Sequence, residues 1–119
     1  MKVEYSWKDG RCEALISEDP DGRLFNGVAD AILTKFNGQL VERLDGLEER
    51  YWDIDIGGKI VTLHLQHYLG IVLFPTNNEG NDLVLEVGKH LEGMEPKRLS
   101  REWFIVKNAF RIRRRQTSS

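Results

Sequence analysis

His64 and His67 lie two residues apart and His90 offers a third imidazole, the raw material of a transition-metal site. A strand running through Leu65 to His67, however, turns the first two histidines to opposite faces. No cysteine lies near them and no acidic–histidine metal motif is present. The preferred reading is a cross-strand His64 beside Tyr51 and an exposed turn His67, with no metal and no cofactor.

Asp53 and Asp55 share one side of one strand, roughly 7 Å apart. With Tyr51, Thr62 and His64 they form a candidate polar patch, suited by residue type to acid–base work or to holding a cation. A solvated strand face has the same composition. Nothing in the sequence adds a nucleophile or an anion cradle, so no catalytic residue is assigned, and a small enzyme using Tyr51, Asp53 and His64 is the last alternative. Cys12 falls on the apolar side of a hairpin opposite Trp7, the place of a buried and inert thiol. There is no glycine-rich phosphate loop, and Gly88, inside a helical pattern, reads as a site of close packing.

The other candidate is electrostatic. Residues 1–96 hold 9 Lys and Arg against 18 Asp and Glu, a balance of −9, whereas residues 97–119 hold 8 against one, a balance of +7. Lys107, Arg111, Arg113, Arg114 and Arg115 make a candidate basic patch close to Trp103 and Phe104. Such a patch neutralises phosphates and would bind nucleic acid. The same arginines would also pair with the acidic body or sit well at a helix carboxyl end. The acidic body, in turn, suits a basic protein partner, whose approach its field would steer.

These residues must be positioned by a small α+β domain. Asp9-Gly10 is a strong two-residue turn, and a hairpin around it pairs Val3 with Ile16, Tyr5 with Ala14 and Trp7 with Cys12. Glu18 to Gly22 breaks that strand, with Asp21 or Asp19 as helix cap. Leu24, Phe25, Val28, Ile32, Leu33 and Phe36 then give one buried face of a helix that Asn37-Gly38 ends. Gln39 to Glu49 reads as a strand broken near Asp45-Gly46, although Leu40, Leu44 and Leu47 also fit a helical period.

The longest apolar-rich run, Arg50 to Pro75, is the centre of the domain. Trp52, Ile54 and Ile56 alternate with Tyr51, Asp53 and Asp55, and Gly57-Gly58 supplies a primed turn. That turn pairs Ile54 with Val61, Trp52 with Leu63, Asp53 with Thr62 and Tyr51 with His64, oily on one side and polar on the other. The next strand, Leu69 to Phe74, is apolar on both sides, so a second layer or a dimer contact is expected over it. After the polar loop Thr76 to Asn81, a helix carries Leu83, Val84, Val87, Leu91 and Met94, with Asn81 as cap and Gly93 as end. Beyond Pro96, Ser100 caps a last helix through Trp103, Val106 and Phe110; a strand over Trp103 to Ile112 is the alternative.

The expected architecture is an antiparallel sheet of five or six strands built from hairpins, with two or three helices packed on it. Residues 1–96 form the acidic body, and 97–119 form a basic C-terminal helix and tail of the same domain. One cysteine suits a reducing cytoplasm, no run approaches the roughly 20 residues of a membrane span, and the amino-terminal stretch MKVEYSWKDG is no signal peptide.

Tyr51-Trp52-Asp53-Ile54, Gly58-Lys59, Leu63-His64, Tyr68-Leu69-Gly70-Ile71 and Phe74-Pro75 together resemble a pattern in small bacterial proteins that are uncharacterised or serve as toxin-immunity proteins. The pattern covers about 25 of the 119 residues, strand and turn positions with no catalytic signature. The resemblance implies a small α+β protein that acts by binding, and no site residue is carried over from it. The functional expectation is a protein–protein interaction module of the immunity or inhibitor kind, not an enzyme, with a basic protein as partner. Nucleic acid bound by the C-terminal arginines is the alternative, and a homodimer is compatible with either.

Overall fold

The computed structural model describes residues 1–101 and Trp103. Its order is β1 (Glu4–Lys8), β2 (Arg11–Ser17), α1 (Gly22–Lys35), β3 (Gln39–Asp45), β4 (Glu49–Ile56), β5 (Lys59–Gln66), β6 (Gly70–Pro75), a single 3₁₀ turn Asn78–Gly80, α2 (Asn81–Glu92) and α3 (Pro96–Leu99). The six strands form one antiparallel sheet in the order β1-β2-β6-β5-β4-β3. It is an α+β fold: the last strand of a four-strand meander closes against the N-terminal hairpin, and the helices pack on one face.

Local chemistry accounts for the registers. The β1–β2 hairpin pairs Tyr5 with Ala14 and Trp7 with Cys12, because Asp9 (φ 54°) and Gly10 (φ 77°) both take the left-handed conformation of a primed turn. Val3 is buried but lies before the first strand residue. Gly57 and Gly58 do the same for β4–β5, giving Ile54↔Val61, Trp52↔Leu63, Asp53↔Thr62 and Tyr51↔His64 as expected. β3 is a strand, so the helical alternative for Gln39 to Glu49 falls. A bulge between Leu40 and Glu42 lets β3 keep Leu40 under the sheet and turn Glu42 outward.

The core lies between the sheet and helices α1 and α2. Trp52, Ile54, Val61, Leu63, Ile71 and Leu73 from the sheet meet Phe25, Val28, Ile32, Val84, Val87 and Leu91 from the helices, each essentially without solvent exposure. Burying a side chain of this size contributes about 1.5–3 kcal/mol. Trp52 is the centrepiece: its ring meets Phe25 edge-on at 4.7 Å, and its Nε1 donates to Asp45 Oδ1 at 2.7 Å. The buried indole N–H therefore has the partner that burial demands.

Two expected caps resolve differently. Asp21 is the α1 cap, accepting from Arg23 N at 2.8 Å, and Asn37 (φ 52°) ends that helix. Asn81 does not cap α2; Gly80 occupies the cap without a side-chain bond. The Asn81 amide instead stitches the helix to the first hairpin, accepting from Cys12 N at 2.9 Å and donating to Gly10 O at 2.7 Å. Gly88 does permit close packing, since a Cβ there would meet the Tyr5 ring.

The expected second layer over β6 is absent among the described residues. Val72 and Phe74 point away from the helices, and Val72, itself buried, has Leu15 and His64 as its ladder partners. Ser100 closes the one-turn α3 from its C-terminal side, its N–H donating to Pro96 O. Trp103 packs against the core. The helix or strand expected from Trp103 to Ile112 otherwise lies outside the described residues.

Candidate functional site

The face of the sheet opposite the helices is where the chemistry-bearing side chains converge. Alternation along β4 sends Arg50, Trp52, Ile54 and Ile56 to the helix side, and Glu49, Tyr51, Asp53 and Asp55 to the other. β5 adds Ile60, Thr62, His64 and Gln66 to that open face, and β6 adds Val72 and Phe74.

All five residues of the candidate polar patch are on this face, and the structure shows what each one does. Tyr51 and His64 stack, centroids 4.1 Å apart and planes 11° apart. Thr62, buried, donates its hydroxyl to Asp53 Oδ1 at 2.6 Å. Asp55 Oδ1 accepts from Gly58 N at 2.9 Å and so serves the β4–β5 turn. The aspartates are thus engaged in the strand pair and its turn.

Glu49 is the residue that the sequence reading missed. Its carboxylate accepts from the Tyr51 hydroxyl at 3.3 Å and lies 3.7 Å from His64 Nε2, too long for a hydrogen bond. The signal was present, because extending the register of the central hairpin pairs Glu49 with Gln66 and puts it on the Tyr51 side. His64 Nε2 is buried without a hydrogen-bond partner. Burial pushes the imidazole pKa below its ordinary value, with Glu49 and then Glu13 acting in the opposite sense. Burial, then Glu49, pushes the Tyr51 hydroxyl up.

Beside this group runs a groove of about 450 Å³ whose floor is Leu15, Val72, Phe74 and Leu69, with Tyr51 and His64 as one wall and Lys8, Arg11 and Glu13 as the other. The Arg11 guanidinium sits 4.7 Å over the Phe74 ring and 3.1 Å from Glu13. His64 meets the same ring edge-on at 6.3 Å. The groove is therefore apolar at its floor and charged at its rim.

The other expected features are dispersed. His90 is on α2, across the sheet from His64, with its ring against Phe36 at 5.8 Å, while His67 lies in the β5–β6 turn beside Tyr68. No group of three His, Cys, Asp or Glu side chains able to hold a metal occurs among the described residues. Cys12 is fully buried on the helix side, and burial raises its thiol pKa. Lys107, Arg111, Arg113, Arg114 and Arg115 lie outside the described residues. No described helix is long and apolar enough to cross a membrane.

No family model, curated protein or solved structure matches the chain.

Proposed function

We propose that this chain is a non-enzymatic protein–protein interaction module of the immunity or inhibitor kind, and that it binds a basic protein through the open face of its sheet. The observation that carries this reading is the outward row Leu15, Val72, Phe74 and Leu69, with no described helix above it. An antiparallel sheet that leaves one face to solvent ordinarily makes that face polar. Apolar side chains gathered on it mark a contact surface.

Charge favours a basic partner. The body carries −9 over residues 1–96, a field that accelerates encounter with a cationic surface. Catalysis is the weaker reading because the patch residues already serve one another: Asp53 binds Thr62, Asp55 binds the turn, and His64 Nε2 is buried. The balance of +7 over residues 97–119 favours nucleic acid as the second reading.

Capture from native cell extract with the full chain, at low and high salt and with and without nuclease, separates the two. The protein-binding reading expects one stoichiometric protein that survives nuclease and is lost when Phe74 is changed to Glu. Recovery of nucleic acid alone, released by salt, would transfer the function to the C-terminal arginines.

A further inference from the structure

Among the described residues seven large apolar side chains are exposed, and four of them, Leu44, Leu47, Tyr68 and Leu69, gather at one end of the sheet. Leu47 is 106% exposed and Tyr68 86%. Single exposed apolar residues are ordinary, but these belong together. Leu47 and Tyr68 line opposite sides of a cleft of about 420 Å³ between the β3–β4 and β5–β6 turns. Leu44 is the ladder partner of Tyr51, and Leu69 shares the groove of Tyr51 and Phe74. The cleft and the groove are thus neighbours, Tyr68 of the one adjoining Leu69 of the other and Glu49 of the one lying beside Tyr51 of the other.

Backbone bonds hold that surface in shape. His67 N–H donates to Glu48 O at 3.2 Å and ties one turn to the other. Gly46 N–H donates to Glu49 O at 2.7 Å, and Leu69 N–H to Gln66 O at 3.1 Å, closing each turn on itself. A surface fixed in this way loses little conformational freedom when it is covered.

We propose that this cleft, together with the neighbouring groove, docks a protein segment that carries large apolar side chains and a basic charge. The proposal rests on the protein-binding reading above and names its docking surface. Glu48 and Glu49 line the cleft. Glu42, Asp53 and Asp55 share the open face, whereas alternation sends Arg43 and Arg50 to the helix side, over the Trp52 and Phe25 rings. Over β3, β4 and β5 the open face therefore bears carboxylates and no lysine or arginine, while Lys8 and Arg11 stand on the far wall of the groove, Arg11 paired with Glu13 at 3.1 Å. A second copy would set the same carboxylates against themselves, and nucleic acid or an anionic membrane would be repelled; a basic, apolar segment is complementary in both respects.

The test uses the isotope-labelled full chain titrated with three short synthetic peptides, alternating arginine–leucine, glutamate–leucine and arginine–serine. The expected result is saturable binding of the arginine–leucine peptide about tenfold tighter than either control. Its amide shifts should centre on Leu47, Glu48, Tyr68 and Leu69. Changing Leu47→Ser and Tyr68→Ser together should weaken that binding about tenfold, with the rest of the amide spectrum unmoved because neither side chain is in the core. Equal binding of a control peptide, shifts centred elsewhere, or an unaffected double variant would overturn the docking surface. A native protein partner captured equally by wild type and double variant would also overturn it while leaving the protein-binding reading intact. No partner and no saturable peptide binding would remove both.

Discussion

The His64 imidazole lies flat on the Tyr51 ring while its Nε2 is buried 3.7 Å from Glu49. The ring is held by stacking and cross-strand packing, with no hydrogen bond to that nitrogen. A carboxylate near but not bonded leaves burial as the dominant influence on its charge.

That balance gives His64 a defined pH signature. Its folded pKa is depressed below the unfolded value, so protonation costs folding free energy. Its contribution to stability is complete above about pH 6.5 and is lost as the pH falls through the folded value. His64→Phe keeps an aromatic stack on Tyr51 and removes the titration. Thermal midpoints at about pH 7.5 and about pH 5.5 should therefore fall further for the wild type than for the variant. Equal falls would show that another group sets the acid limb.

Glu49→Gln tests the opposing influence. Removing the carboxylate takes away what holds the His64 pKa up, so it should fall further below its ordinary value. The Tyr51 hydroxyl, raised in part by the same carboxylate, should move down toward 10. Nuclear magnetic resonance titration of the two rings reads both. An unchanged His64 would mean that Glu49 points away from it in solution.

Asn81 ties α2 to the β1–β2 hairpin through Cys12 N and Gly10 O. Asn81→Leu leaves the Cys12 N–H unpaired beside the core and should cost about 1–3 kcal/mol. Asn81→Asp keeps the acceptor for Cys12 and loses only the donor to Gly10, so it should cost less, helped by a negative charge in the first turn of the helix. Urea midpoints at constant slope measure both. A larger loss for Asp than for Leu would show that the Gly10 contact dominates.

How much of this was legible in the sequence depended on range. Both hairpin registers followed from Asp9-Gly10, Gly57-Gly58 and the apolar alternation around them, because a two-residue turn leaves one pairing that keeps Trp52, Ile54, Val61 and Leu63 together. The Tyr51–Asp53–Thr62–His64 grouping followed from the same register. What failed was non-local. Asn81 looks like a cap because asparagine before an apolar stripe usually is one; its true partners are about seventy residues away in the hairpin. Trp7, opposite Cys12 as expected, is 59% exposed because β1 is an edge strand, a position that only strand order fixes. The apolar outer side of β6 suggested a second layer or a dimer contact, and among the described residues it borders a groove with no helix above it. The clustering of Leu47 with Tyr68 needs two turns tied by the His67–Glu48 bond, which no periodicity encodes.

Gly27 and Gly88 are both buried helix glycines, and they should respond to alanine in opposite ways. Alanine gains about 1 kcal/mol of helix propensity at either position. At Gly27 the new Cβ collides with the Leu99 carbonyl, a backbone atom of α3 that moves only if the helices separate. Overpacking of that kind costs about 1–3 kcal/mol, so Gly27→Ala should destabilise despite the propensity gain. At Gly88 the new Cβ comes 2.5 Å from the Tyr5 hydroxyl and 2.8 Å from its Cε1. Tyr5 lies on the edge strand, 36% exposed, and its ring can swing outward. That motion gives up the 2.9 Å bond to Glu92 and the burial that, with it, pushes the Tyr5 pKa up to about 12. Gly88→Ala should therefore change stability by less than about 1 kcal/mol while the Tyr5 pKa returns toward 10. Thermal midpoints and an ultraviolet tyrosine titration report the two effects separately. A loss at Gly88 as large as that at Gly27, with the Tyr5 pKa unmoved, would mean that the ring is fixed and that α2 yields instead.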